Sequence, residues 1–171
     1  MVEAMVALGA LTLGYLAVIT LLNQSLGTSA TVSDRNIATY LAAEGIEIVR
    51  NLSDANVRKG ALFDDFSNGN NLDFEVSWDD LLESDSPSLD VDNYNPGRRV
   101  LNFNERRPLK YDPSPNGKGY NYTIGQDTRF YRIIYTTVQP SYIRVNSVVY
   151  WAGKNNFKDN VLLSDFFFNW R

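Results

Sequence analysis

From Ala4 to Leu22 the chain runs for 19 residues, AMVALGALTLGYLAVITLL, without a charged side chain. As a helix such a run spans roughly 28 Å, close to the hydrocarbon thickness of a bilayer. Gly9 and Gly14, poor choices in a soluble helix, are common in membrane-spanning ones. Beyond Leu22 the chain turns polar, NQSLGTSATVSD, and Gly27 with its Ser/Thr cluster either ends the helix or weakens it. Helical spacing then resumes. Ile37, Leu41, Ile48 and Leu52 fall on one stripe with Ala38, Ala42 and Val49 beside it, and Asp34, Arg35, Glu44, Glu47 and Arg50 lie largely off it. No proline occurs before Pro87, so nothing forces a break between residues 2 and 52 and one long helix is predicted. Ser53, Asp54 and Asn56 supply its stop. Gly45 reads either as a point of close packing, by a strand or an aromatic ring, or as a merely tolerated glycine.

After Leu62 the period changes from helical to alternating. LDFEVSW (72–78) alternates apolar and polar residues, and RRVLNFN, GYNYTI, RFYRIIYTT and YIRVNSVVYW are further strands rich in aromatic and β-branched residues. In the last of these Ile143, Val145 and Val149 mark one face, with Arg144 and Asn146 on the other. NVLLSDFFFNW closes the series, and 84–87, Asn95-Pro96-Gly97 and DPSPNGKG (112–119) punctuate it. The pattern predicts an α+β protein: residues 1–55 form a hydrophobic, then amphipathic helix. Residues 56–171 form a head built on one mostly antiparallel sheet of four to six strands, packed on the helix's second half.

Composition narrows the chemistry. The 171 residues contain no Cys and no His, which removes disulfides, thiolate chemistry, the usual zinc sites and a His general base. Most nucleophilic and acid–base arrangements go with them, so the expectation is a non-enzyme without a cofactor or metal. A formal net charge of −4 provides no general attraction for nucleic acid. A secretory signal peptide fits poorly, because Glu3 stands where a basic region belongs and the apolar run leads into further helix.

Glu3 admits two readings: a carboxylate snorkelling to an interface, or one that meets a positive partner inside an apolar assembly. The run VEAMVALGALTLGYLAVITLLNQ resembles the start of a mature type IV pilin or pseudopilin, on Val2-Glu3, Ala4-Met5 directly after it, and the uncharged stretch to Leu22. LAAEGIEIVRNLSD (41–54) resembles the end of the long helix in pilin-like proteins, and the C-terminal pattern through Tyr150-Trp151 and Asn169-Trp170-Arg171 does so loosely. The middle of the chain carries no such likeness. In that family a prepilin peptidase cuts after a glycine, the new N-terminus is methylated, and a single Glu leads the helix. The family has four residues before this Glu where two stand here. Truncation or a start codon assigned inside the gene, with Met1 in place of Leu, accounts for the difference, and the second is preferred. Major pilins of many Gram-negative bacteria close a C-terminal loop with a disulfide, which this chain cannot form.

The resemblance implies a structural subunit of a type IV pilus or pilin-like filament, with the inner membrane, a prepilin peptidase and an assembly machinery as partners. The filament is a helical homo-oligomer on the cell surface. Glu3, with Val2, Ala4, Met5, Leu8, Leu11, Leu13 and Leu16, would carry assembly, Glu3 pairing with a neighbour's terminal amine. The alternatives are a pseudopilin of a type II secretion or competence system and a single-pass anchored extracellular binding protein that never polymerises.

Three further clusters have a functional and a plain reading. Arg98, Arg99, Arg106, Arg107 and Lys110 gather within 13 residues as a candidate patch for DNA or another anion, although a charged edge strand is the preferred reading. Asp79, Asp80, Glu83, Asp85, Asp90 and Asp92 offer oxygen ligands for calcium but lack EF-hand spacing, so a solvated acidic loop is preferred. Asp64 and Asp65 are adjacent on a turn, poorly placed for paired-carboxylate catalysis. Asn51 and Asn121 open glycosylation sequons of low specificity.

Overall fold

One helix, α1, runs without interruption from Val2 to Arg58 in the structure, a computed structural model. Residues 1–58, 73–77, 97–99, 106–115, 117, 119–152 and 158–168 are described. Gly27 and the Ser/Thr cluster do not end the helix. Thr28 and Thr31 donate their hydroxyls to the carbonyls of Gln24 and Gly27, at 3.0 and 3.1 Å, so these polar side chains are satisfied within the helix. Nor does it stop at Ser53 and Asp54. Ser53 is buried against the head, and Arg58 closes the last turn by donating Nε to the Asp54 carbonyl at 3.3 Å. A basic residue there also complements the helix dipole.

Eight strands follow among the described residues: β1 (Asp73–Val76), β2 (Gly97–Arg99), β3 (Lys110–Asp112), β4 (Gly119–Asn121), β5 (Gln126–Asp127), β6 (Phe130–Gln139), β7 (Tyr142–Ala152) and β8 (Lys158–Phe168). The chain is an α+β protein. Its compact units are Met1–Asn36 and Ile37–Arg171, so the second stretch of α1 belongs with the strands.

A five-stranded antiparallel sheet has the order β2-β1-β6-β7-β8. The β6–β7 hairpin turns at Pro140 and Ser141, and its register runs from Gln139↔Tyr142 to Phe130↔Trp151. β8 continues the ladder from Tyr142↔Phe168 to Ala152↔Lys158. Period two sets the faces. Ile143, Val145 and Val149 point inward and are fully buried, as their spacing predicts, while Arg144 is exposed.

The inward face meets α1 in two apolar clusters. Ile46, Ile48, Val49 and Leu52 pack with Phe74, Val76, Ile134, Ile143 and Val145. Ala38, Leu41 and Ala42 pack with Leu109, Tyr122, Phe130, Val149 and Trp151. Fully burying each large aliphatic side chain contributes about 1.5–3 kcal/mol, which outweighs the modest helix propensity of the β-branched residues here.

Besides the end of α1, two expectations need correction. The strands form two sheets rather than one, because β4-β3-β5 is a separate three-stranded sheet. Local turns close its strands on themselves. Asn121 Oδ1 accepts from the amides of Thr123 and Ile124 at 2.9 and 2.7 Å, and Gly125, at a φ of 116°, lies against the Tyr111 carbonyl where a side chain would not fit. The second correction concerns the helix: Asp34 is buried and Glu44 is half-buried, although both were expected off the apolar stripe. The reason for Glu44 is a charge on the facing strand.

Candidate functional site

The residues expected to carry assembly lie in the first unit. Glu3 occupies the first turn of α1, where a carboxylate is favoured by the exposed amides of the helix start. Val2, Met5, Leu8, Leu11, Leu13 and Leu16 are 59–76% exposed, and Ala4 is exposed with them. Their azimuths cover little more than half of the circumference, and Val6, Val18 and Leu21, also exposed, lie on the other side. Thr12 and Thr20 donate to the carbonyls of Gly9 and Leu16, at 2.9 and 2.8 Å. Hydroxyl and backbone donors are thus satisfied inside the helix, the condition for placing it in apolar surroundings. By length and composition it can cross a membrane.

Two of the basic residues lie on β2, two on the segment before β3 and one on β3. Arg98 and Arg99 lie on β2, the short edge strand, opposite Glu75 and Phe74. Arg106 donates Nη2 to the Tyr135 hydroxyl at 3.0 Å and stacks over the Tyr150 ring at 4.6 Å. Arg107 binds Glu75 twice, through its amide at 2.8 Å and through Nε at 2.9 Å, and lies 4.9 Å over Tyr122. Lys110, on β3, donates Nζ to the Thr123 carbonyl at 3.4 Å. The acidic run 79–92 and the Asp64/Asp65 pair lie outside the described residues. Asn51 sits on the exposed side of α1, whereas Asn121 is enclosed and its carboxamide is committed to the turn after β4.

A polar cluster under α1 escaped the sequence reading. Arg132 of β6 is fully enclosed between helix and sheet. Its Nη1 donates to the Leu41 carbonyl at 2.9 Å and its Nη2 to the Val76 carbonyl at 2.6 Å. Glu44 Oε2 stands 3.3 Å from Nη1. The Arg132 carbonyl accepts the Tyr122 hydroxyl at 3.0 Å, and burial of that ring pushes its pKa far above the usual tyrosine value. One residue therefore joins α1, β1, β6 and the turn after β4. Gly45 makes room for it: a Cβ there would stand 2.6 Å from Ser147 Oγ, 3.1 Å from Arg132 Cδ and 3.3 Å from Ile134 Cδ1. Close packing of a strand is thus the reason for the glycine. A signal for Arg132 was available, since alternation places it on the same face as Phe130 and Ile134.

The opposite face of β7 and β8 carries Tyr142, Phe166 and Phe168 in mutual contact, at centroid distances of 5.6 to 6.4 Å. Leu162, Phe166 and Phe168 are exposed there, with the Arg144 guanidinium over the Phe166 ring. Inward, Arg50 of α1 holds Asp165 of β8 at 2.6 Å and Glu47 at 3.0 Å. Among the described residues no three His, Cys, Asp or Glu side chains are grouped to hold a metal ion. The chain matches no family model, no curated protein and no solved structure.

Proposed function

We propose that the chain is a structural subunit of a type IV pilus or pilin-like surface filament, assembled through residues 2–22 of α1. The observation that carries this reading is a helix that is apolar on every side, satisfies its own polar groups and has one carboxylate, Glu3, in its first turn. A soluble head has no use for such a segment, whereas a bundle of identical helices covers it completely. The helical stretch 37–58 packed on an antiparallel sheet is compatible with a pilin-like subunit. Before assembly the same segment anchors the precursor in the inner membrane. Transfer into a helix bundle exchanges one apolar surrounding for another. Glu3 sets axial register by pairing with a neighbour's terminal amine, because an unpaired charge in such a bundle is very costly. A prepilin peptidase and an assembly motor act on the segment, and the protein works without catalysis or a cofactor.

The test is electron microscopy of sheared surface material, with mass spectrometry of the filament protein's N-terminus. Filaments built of this chain with a methylated terminal amine are the expected result. Recovery of the protein only as an unprocessed, unpolymerised membrane species overturns the reading and favours an anchored binding protein. Short processed assemblies confined to the envelope favour a pseudopilin.

A further inference from the structure

The apolar contact between α1 and the sheet restricts the register only in part. Ala38, Leu41, Ala42, Ile48, Val49 and Leu52 are all aliphatic, and burial of apolar area is non-directional. Sliding α1 by one turn, about 5 Å, in either direction still brings an aliphatic residue to half of these six positions, so the stripe opposes a shift only in part. Arg132 removes the remaining freedom. Its guanidinium is fully enclosed and needs both a charge partner and carbonyl acceptors. In the observed register Glu44 supplies the carboxylate and Leu41 the carbonyl, while Gly45, one turn after Leu41, leaves the space for Arg132 Cδ and Ser147 Oγ. Gly45 is the one glycine between Ile37 and Arg58. A shift of one turn brings Leu41 or Val49 to that position and Tyr40 or Ile48 to the place of Glu44. The first puts side-chain atoms where Ser147 and Arg132 already lie, and the second buries a charge without a carboxylate.

We propose that Arg132, together with Glu44 and Gly45, is the positioning device that fixes the axial register of α1 on the sheet. The aliphatic stripe holds the two together, and the polar cluster decides where. Single buried polar residues fix register in the same way in coiled coils. If the filament reading holds, this register sets the level at which each head lies along its own helix. The inference itself requires only the subunit.

The chain contains no cysteine, so two introduced cysteines can be spin-labelled without interference. Tyr40→Cys on α1 and Ser141→Cys at the β6–β7 turn are both exposed. They lie towards opposite ends of the contact, so their separation follows axial sliding. The full chain in detergent micelles is expected to give one narrow distance with Arg132 in place. Adding Arg132→Met is expected to produce a second distance, displaced by up to about 5 Å and carried by about one molecule in ten or more. A merely stabilising ion pair would lower the melting temperature and leave the single distance unchanged, and that result overturns the proposal. Should the Met variant not fold, Arg132→Lys replaces it, because an ammonium cannot span the carbonyls of Leu41 and Val76 at once. A second distance in the Lys variant supports the device, and an unchanged single distance overturns it. Neither result depends on whether filaments form.

Discussion

Arg107 grips Glu75 with both its backbone amide and its guanidinium, and the two partners differ in burial: the carboxylate side chain is 0% exposed and the arginine side chain 42%. Removing one partner therefore does not mirror removing the other. Arg107→Ala leaves an enclosed carboxylate with one amide donor among the described residues and is expected to cost roughly 2–4 kcal/mol, near the range for breaking a buried pair. Glu75→Gln retains an acceptor and removes the buried charge, at about 1–2 kcal/mol. Urea unfolding of the two variants in parallel checks the order, and equal losses would mean that the pair behaves as an exposed one.

Two glycines of α1 are expected to respond differently to alanine. Nothing lies within 4 Å of a Cβ built at Gly14, so Gly14→Ala leaves head unfolding unchanged within about 0.5 kcal/mol. At Gly45 the propensity gain of about 1 kcal/mol is overcome by overpacking of about 1–3 kcal/mol against Ser147 and an anchored Arg132. Thermal unfolding should show a lower midpoint for Gly45→Ala. Restoration by Ser147→Gly would identify the hydroxyl as the obstacle.

Tyrosine ionisation gives a pH signature of the folded head. Burial, followed by the hydrogen bond and charge of Tyr150, pushes Tyr135 up to about 12, and burial raises Tyr122 further. The phenols stay protonated in the fold at pH values where an unfolded chain has released them. Their contribution is complete below pH 10 and falls as pH rises through the window from 10 to 12. An alkaline absorbance titration should show the Tyr122 step only as the head unfolds, and Tyr122→Phe should remove it.

Under the filament reading, Glu3→Ala is expected to abolish or strongly reduce filaments while leaving head unfolding unaltered. The residue is remote in sequence from every residue of the two core clusters. Normal filaments from this variant would remove Glu3 from assembly. Glu3→Gln distinguishes charge from hydrogen bonding: loss of assembly there points to the charge.

The helix, β6 to β8 and the inward face of β7 were legible because one-sided burial leaves a period in the chain, 3.6 for α1 after Ile37 and two for these strands, whereas β3 and β5, only three and two residues long, carry too short a pattern to be read. Arg132 and Glu44 were not read as a pair for the same reason. Periodicity treats a charge as a mark of the outside, and only the three-dimensional approach of β6 to α1 shows that these two neutralise each other. The separate three-stranded sheet was hidden in a different way. GYNYTI has good strand composition, but Asn121 turns its carboxamide onto the amides of Thr123 and Ile124, ending the strand with hydrogen bonds that propensity does not register. The stop of α1 was misplaced because Ser53 serves the core rather than a cap.

The core cluster around Ile46–Leu52 draws its other half from residues as late as Val145, with Phe167 packed against it. On a ribosome adding about 5–20 residues per second, α1 is complete roughly 5–20 s before β8, and its inward stripe waits that long for the last of its partners. The apolar run 4–22 emerges before the head and can find its surroundings while the head has yet to fold. Synthesis thus imposes an order on the chain: the segment that needs no contact with its own head can settle early, and closure of the sheet over α1 awaits β8.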